Sequence, residues 1–327
     1  MLRRCFAILA RSLPAWGGVL LISARVVAEE PPWIDDYASP DSLPPACEEE
    51  EGADEEISYG PDPCEPRGTL LQWSYGTSFA GGPPGRDEPL VTDRPDFTEA
   101  SVTVGRGVAQ LEFGHTYTHD DEDGVRVSSH SFPETLLRVG FFAEWLEARV
   151  GWNYADETVR SGGVSTSANG AEDLYLGLKI ALTPQEGCLP EMALMPQMTV
   201  PSGGGDFTAD EVLPGVNWLY GWDLTDSLAT GGSTQVNRAI DDGTDDAYLE
   251  LAQSWTVGYS FNEWLGGYAE WFAFFPHSAD TVLPEHYFNG GFTFLITNNL
   301  QFDVRAGLGL NEAADDFFVG AGGAVRY

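Results

Sequence analysis

The sequence predicts an all-β fold, an antiparallel up-and-down transmembrane β-barrel of about 12 strands. From about residue 107 to the end, segments of roughly 10 residues alternate apolar and polar side chains and are separated by turn residues. The connections between these segments mostly alternate between long and short, as they must when strands run up and down through a membrane. The 38 Gly, 18 Phe, 12 Tyr and 10 Trp also suit many short strands with aromatic girdles.

The first 28 residues have the features of a cleaved secretory signal peptide. Arg3, Arg4 and Arg11 form a basic start, the apolar run 16–22 follows, and residues 26–28 are small enough for cleavage. This run is too short for a membrane-spanning helix, which needs about 20 apolar residues. Together with the strand pattern, the signal predicts export and a location in the cell outer membrane.

Residues 29–90 are rich in Pro, Gly, Asp and Glu and predict a mostly disordered acidic leader. Residues 91–106 form a latch or plug segment, and the barrel occupies 107–327. The formal net charge is −35, which excludes a basic surface for nucleic acid. The acids concentrate in short blocks, which are typical of solvated loops: 48–51, 120–123, 241–242, 245–246 and 315–316.

Cysteine is sparse. In an oxidising compartment Cys47 and Cys64 could form a disulfide, which would leave Cys188 unpaired. The chain has no CxxC pair, so we expect neither a metal site nor a cofactor.

Alternation places the twelve strands in order along the chain. The segments are 107–118, 131–142, 146–155, 172–182, 191–200, 213–223, 227–237, 247–260, 265–275, 286–296, 300–310 and 317–327. Residues 119–129 and 156–171 are expected to be long external loops. The last strand ends in the aromatic Tyr327, is expected to pair with the first strand, and fits the signal read by barrel-assembly machinery.

The same alternation turns a set of charged side chains toward the lumen. These are Glu112, Glu134, Arg138, Glu147, Arg149, Asp173, Lys179, Glu250, Asp303, Arg305 and Arg326. Opposed charges across a narrow barrel are expected to pair and hold the interior together. The alternative is that they line a selective path, although mixed signs argue against a simple ion filter.

A charged run, Val-Thr-Asp-Arg-Pro-Asp-Phe-Thr-Glu at 91–99, stands just ahead of the first strand. Its Asp93, Arg94, Asp96 and Glu99 could make charge-assisted hydrogen bonds, beside Phe97, at the mouth of the barrel or inside its lumen. A plug or gate is one interpretation. A plain N-terminal latch is the one we favour at this point.

This run and three later segments, 107–117, 133–140 and 146–153, resemble a family of bacterial outer-membrane proteins named for a putative MetA pathway of phenol degradation. The resemblance covers about residues 90–327, and Asp-Arg-Pro-Asp-Phe-Thr-Glu is its most specific part. It implies an outer-membrane barrel with a role in the passage of hydrophobic or aromatic compounds.

Three functions follow as hypotheses. The first is a channel or transporter for a small hydrophobic or aromatic solute, embedded in outer-membrane lipid. The second is a structural or surface-interaction barrel without transport, with its acidic loops as the working surface. The third is a lipolytic enzyme that uses Ser128 and His130, which lie two residues apart and could share a strand face. We expect no enzyme.

Overall fold

The computed structural model describes residues 69–71, 82–205, 207–241 and 243–327. Within these residues it contains one antiparallel sheet of 13 strands and no helix. The strands are β1 (Ala109–Glu122), β2 (Val125–Gly140), β3 (Leu146–Ser161), β4 (Val164–Ala171), β5 (Leu174–Thr183), β6 (Glu191–Val200), β7 (Leu213–Thr225), β8 (Leu228–Asp241), β9 (Asp246–Asn262), β10 (Leu265–His277), β11 (Glu285–Thr297), β12 (Leu300–Gly309) and β13 (Phe317–Arg326).

The sheet closes on itself. β1 pairs with β13 from Gln110 opposite Arg326 to His119 opposite Phe317, and β2 pairs with β3. β4 and β5 both lie against β3, one along its second half and the other along its first half. They therefore share one position in the wall, and the closed barrel has the twelve strands that the sequence predicts.

Two expected loops are strands. Residues 119–129 and 156–171 extend β1–β2 and β3–β4 into long hairpins with two-residue turns. Asp123 and Gly124 have φ of 50° and 80°, and Gly162 and Gly163 have φ of 58° and 83°. Asp-Gly and Gly-Gly favour such tight turns, so polarity was a poor guide to loop structure here.

The barrel is apolar outside and polar inside. Large apolar side chains, among them Trp152, Trp255 and Phe292, are more than a third exposed, whereas Arg138, Arg149 and Lys179 are at most 1% exposed. A water-soluble barrel has the opposite distribution, because its core is apolar. The outer face is therefore suited to lipid. Among the described residues, no helix is long and apolar enough to cross a membrane.

The two ends of the barrel differ. At the short-turn end lie Tyr327 and the connections that follow β2, β5, β7, β9 and β11. At the loop end lie the β1–β2 and β3–β4 hairpins and the connections that follow β6, β8, β10 and β12.

Candidate functional site

Residues 91–105, here called the lumen segment, lie inside the barrel. Asp93, Thr98, Thr103 and Val104 are buried, the last two almost completely. The segment contacts inner-face side chains of β1, β2, β3, β5, β9, β10 and β12. Sequence alternation gives only the face of each strand, so it could not place this segment between them.

Asp93 is the centre of the charged contacts. Its carboxylate accepts a hydrogen bond from Lys179 Nζ at 2.9 Å and one from Arg149 Nη1 at 2.5 Å, and Arg138 Nη1 lies 3.3 Å away. Lys179 also donates to the carbonyl oxygen of Ala100 at 2.8 Å. One carboxylate thus joins the lumen segment to three neighbouring wall strands.

Further carboxylates complete the pairing of these cations. Arg138 donates to Glu147 Oε1 at 2.8 Å and to Glu112 Oε1 at 3.0 Å, while Arg149 donates to Glu99 Oε1 at 2.5 Å. Charges removed from water are tolerated only when partners of opposite sign and hydrogen bonds replace the solvent. Apart from Arg149 Nε, which is buried without a hydrogen-bond partner, the network meets that condition with groups from both the wall and the segment.

The first part of the segment is held through its main chain as well. Glu112 accepts hydrogen bonds from the backbone N–H groups of Asp93 and Arg94, at 3.1 and 3.2 Å. The guanidinium of Arg94 pairs with two other wall carboxylates, Glu134 on β2 at 2.6 Å and Asp303 on β12 at 3.3 Å. The contacts of Glu112 supply hydrogen-bond partners for backbone groups that have no strand beside them.

A second wall carboxylate holds the next part of the segment, residues 97–98. Glu270 on β10 accepts hydrogen bonds from the N–H groups of Phe97 and Thr98, both at 2.7 Å, and from the Thr98 hydroxyl at 2.6 Å. Arg305 on β12 donates to the carbonyl oxygen of Pro95 at 3.0 Å. The segment is therefore fixed from opposite sides of the barrel.

An aromatic cluster lies in the lumen toward the loop end. The ring of Phe97 stacks on Phe272 with centroids 4.6 Å apart and meets the edge of Phe274 at 5.4 Å. Tyr287 and Phe318 pack against the same cluster. Phe97 thus connects the charged part of the segment to an apolar group that fills the lumen.

Three predicted lumen residues lie away from this network. Asp173 accepts hydrogen bonds from backbone N–H groups of the β6–β7 connection, and so holds a loop. Glu250 accepts one from the Tyr248 hydroxyl at 3.3 Å. Arg326 donates to the carbonyl oxygens of Arg86 and Glu88 at the short-turn end, which anchors the chain before it enters the barrel.

Sequence reasoning missed Glu270 and its neighbours. Asn289 Nδ2 donates to Glu270 at 2.7 Å, and the hydroxyls of Ser254 and Thr98 lie 2.6 Å apart. A signal was present, since Glu270 alternates with Tyr268 and other aromatic residues on the inner face of β10. A lone acid in such a row needs donors nearby.

The Ser128 and His130 pair does not form. Ser128 Oγ lies 3.1 Å from His119 Nδ1, while His130 Nδ1 lies 3.0 Å from His115 Nε2. Among the described residues, no carboxylate or amide forms a hydrogen bond with His119 that would orient it for catalysis.

Cys188 is disulfide-bonded, so the expectation that it stays unpaired is wrong. Cys47 and Cys64, the expected pair, lie outside the described residues. Within the described part of the chain, no group of three or more His, Cys, Asp or Glu side chains is arranged to hold a metal ion.

Open space remains beside the lumen segment, against β7–β11 near the short-turn end. One cavity has a volume of about 700 Å³ and an adjoining one about 420 Å³. Both are lined by Asp96 and Tyr268 and by wall residues that include Gly258. Near the short-turn end, the lumen is thus filled on the side of β1–β5 and open on the other.

The closed wall, the outer face suited to lipid and the occupied lumen define a membrane-spanning β-barrel with its own residues 91–105 inside it. The chain belongs to the family described as "Putative MetA-pathway of phenol degradation", whose model matches residues 92–327. The matched part begins at the lumen segment, so the segment is as much a part of the family pattern as the wall.

A solved structure agrees on the fold. The chain is similar to an outer membrane channel from Pseudomonas putida F1, with a TM-score of 0.53 and 13% identity over 71% of this chain and 99% of that one. The translocator domain of the autotransporter NalP from Neisseria meningitidis has a TM-score of 0.44 and 12% identity, over 68% and 89%. None of the curated protein sequences compared with the chain matches it.

Proposed function

We propose that the protein is an outer-membrane channel for small hydrophobic or aromatic solutes. We also propose that the lumen segment restricts the passage of these solutes. The observation that carries this proposal is the division of the lumen. One side is filled by the segment and its ion pairs, while the other keeps cavities of about 700 and 420 Å³. Sites for small molecules commonly have volumes in this range.

The contacts of the segment support a plug over a plain latch. A latch needs attachment only at the mouth, as Arg326 provides. The segment instead reaches Glu270 and Ser254 on the far wall and places Phe97 in the aromatic cluster. A solute that crosses must pass beside this obstruction or displace part of it.

The two anchors of the segment differ in strength. At Asp93 three buried cations meet one carboxylate, a contact that is costly to break because it leaves charges unpaired. At Phe97 and Thr98 the bonds join a carboxylate to neutral groups. We therefore propose that the Asp93 end stays fixed and that the Phe97 end moves when a solute passes.

Solute uptake into liposomes tests the function. Purified protein with and without residues 91–99 is reconstituted, and entry of a panel of small aromatic and aliphatic solutes is compared with protein-free liposomes. We expect uptake by the full-length protein and faster uptake by the shortened one. Entry no faster than into protein-free liposomes, for both proteins and all solutes, would contradict a channel.

A barrel without transport is the second candidate function. The dense pairing of charges around Arg138 and Arg149 favours it, since such pairing closes the lumen on one side. In that case, removal of residues 91–99 would create permeability that the full-length protein lacks for every solute.

Location and assembly are tested separately. We propose export through a cleaved signal peptide, insertion into outer-membrane lipid, and recognition of the C-terminal strand by barrel-assembly machinery. Tyr327 is 75% exposed at the short-turn end, where such machinery could reach it. Membrane fractionation, N-terminal sequencing of the mature protein and heat-modifiable gel migration give the readouts. Recovery as a soluble, heat-insensitive protein would overturn the location.

A further inference from the structure

The open side of the lumen offers a negative site for a positively charged solute. We propose, resting on the channel function above, that the solute class includes organic amines with an aromatic body. In this site the Asp96 carboxylate is the counter-charge and the Tyr268 ring is the apolar surface. The proposal rests on the pairing of the lumen carboxylates, on the lining of the two cavities, and on the small side chains of the wall.

Asp96 differs from the carboxylates around it. In the network of the lumen segment, the other carboxylates pair with Arg or Lys: Asp93, Glu99, Glu112, Glu134, Glu147 and Asp303. Glu270 lacks a cation but accepts hydrogen bonds from the segment and from Asn289. No cation lies within 4.0 Å of Asp96 among the described residues.

The charged neighbours of Asp96 make its surroundings negative. The carboxylate of Glu270, which has no cation partner among the described residues, acts on it electrostatically, whereas Asp93 is already paired with three cations. A carboxylate removed from water without a cation is costly, and a positive ligand that replaces the lost solvent offsets that cost. The site therefore favours a cation over a neutral molecule of the same shape, and disfavours an anion.

The charged side chains that line the smaller cavity are also negative. Its described lining contains Asp96 and Asp223, together with Glu99, which pairs with Arg149, and Glu191, which accepts a hydrogen bond from Ser101; it contains no Lys, Arg or His. The larger cavity has one cation in its described lining, Arg94, whose guanidinium already pairs with Glu134 and Asp303. A cleft lined by one sign of charge concentrates ions of the opposite sign.

The apolar contact comes from Tyr268. Its side chain lines both cavities beside Asp96. Its hydroxyl donates to Asn289 Oδ1 at 2.6 Å, which fixes the ring and leaves its carbon surface for a ligand. An ammonium near an aromatic ring is attracted by the ring quadrupole as well as by the carboxylate.

The wall opposite the segment leaves room for such a ligand. Gly221, Gly231 and Gly258 line the smaller cavity, and a Cβ added at Gly258 would meet no atom within 4 Å. The volume of about 420 Å³ is sufficient for a single-ring amine, and the adjoining 700 Å³ provides a path toward the short-turn end.

Three probes of one shape and different charge test the site: benzylamine, benzyl alcohol and benzoate. Calorimetry measures their binding to the purified full-length protein, and liposome uptake measures their passage. We expect benzylamine to bind about 10-fold more tightly than benzyl alcohol, and benzoate to bind most weakly. Equal binding of all three would overturn the proposal, whether or not any of them crosses the membrane.

Variants then assign the preference to this site. Asp96→Asn should bring the ratio of benzylamine to benzyl alcohol binding close to one. Asp121→Asn, at an exposed pair with Arg126, should leave the ratio unchanged. A preference that survives in Asp96→Asn would overturn the assignment.

A second pair of variants covers the case in which Asp96→Asn does not fold. Tyr268→Leu should weaken benzylamine binding and Tyr268→Phe should restore it, because the ring and not the hydroxyl makes the contact. Equal loss in both variants would contradict the role of the ring. Failure of uptake by every probe, with the binding preference intact, would count against the channel and not against the site.

Discussion

Lys179, the single lysine of the chain, donates a hydrogen bond from Nζ to Asp93 Oδ1 at 2.9 Å inside the barrel. Arg149 and Arg138 approach the other oxygen of the same carboxylate. The three cations belong to β5, β3 and β2, so Asp93 neutralises charges that would otherwise repel one another across three strands. The lumen segment therefore contributes to the stability of the wall as well as to the obstruction of the lumen.

Asp93→Asn should destabilise the folded barrel strongly. The amide keeps the shape of the side chain but leaves Lys179 without a carboxylate within 4.0 Å among the described residues and removes one carboxylate partner from each arginine. Removal of one partner from a buried ion pair typically costs about 3–5 kcal/mol. The free energy of unfolding in urea, measured in detergent micelles, checks this value.

Asp121→Asn is the matched control for this substitution. Asp121 pairs with Arg126 near the β1–β2 turn, and both side chains are more than a third exposed. Exposed pairs contribute below about 1 kcal/mol. A loss in Asp93→Asn as small as that in Asp121→Asn would show that the buried network is not stabilising.

Lys179 gives a direct readout of the position of the segment. Its side chain is fully buried and it is the only lysine, so an amine reagent should leave it unmodified in the native protein. Deletion of residues 91–99 removes Asp93 and should make Lys179 reactive from the lumen. Peptide mass mapping separates this modification from that of the N-terminal amine. Equal protection of Lys179 in both proteins would contradict an occupied lumen.

Gly140 should tolerate no side chain. A Cβ at this last residue of β2 would lie 1.7 Å from the carbonyl oxygen of Gly105, where the segment leaves the lumen. Gly140→Ala must therefore push segment and wall apart, and we expect loss of heat-modifiable migration or a lower unfolding midpoint. Gly258→Ala is the control, because its Cβ would meet nothing within 4 Å. Equal stability of the two variants would contradict the close approach.

Alternation in the sequence predicted the wall well because each strand has lipid on one side and the lumen on the other. β12 (Leu300–Gly309) shows this best, with apolar residues at every second position of the predicted strand 300–310. The lengths of the β1–β2 and β3–β4 hairpins were underestimated, because the parts of strands that extend beyond the lipid have no apolar face by which the sequence could indicate them. Turn chemistry at Asp123-Gly124 and Gly162-Gly163 carried that information instead.

The partners of the lumen segment could not be predicted in the same way. Alternation predicts that Glu112 and Glu147 face inward. It does not predict where along the barrel axis the lumen segment lies, or which wall residues it contacts, because the segment pairs with no strand. Glu270 binds the main chain of Thr98, which lies 172 residues away, and no local pattern encodes such a contact. The wall was therefore predictable from periodicity, whereas the site required the closed geometry.

Asp315 should make stability depend on pH. Burial, followed by the repulsion of Glu285 and Asp120, raises the pKa of this β12–β13 loop carboxyl to about 6. Because the folded pKa lies above the ordinary value of 3.8, the ionised form costs stability, and this cost begins to shrink as pH falls below about 6 and is gone near the ordinary value. Asp315→Asn should thus be more stable than the wild type at neutral pH, with a difference that shrinks as pH falls from about 6 toward about 4. Urea unfolding of both proteins across this range measures the difference, and a constant difference would contradict the raised pKa.

Phe97→Ala should open the obstruction at its weaker end. The ring stacks on Phe272 and meets Phe274, so its removal leaves a gap in the aromatic cluster while Asp93 keeps the segment attached. We expect a loss of about 3 kcal/mol in the free energy of unfolding. We also expect a higher single-channel conductance in planar bilayers.

Phe132→Ala is the control for the size of the residue removed. Phe132 is 59% exposed and pairs with Tyr154 on the outer face, where it contacts no part of the lumen segment. Its removal should leave conductance unchanged. If Phe97→Ala conducts like the wild type and like Phe132→Ala, the aromatic cluster does not limit the passage of solute. The restriction must then lie at the charged contacts of Asp93, and Asp93→Asn would be the variant that raises conductance.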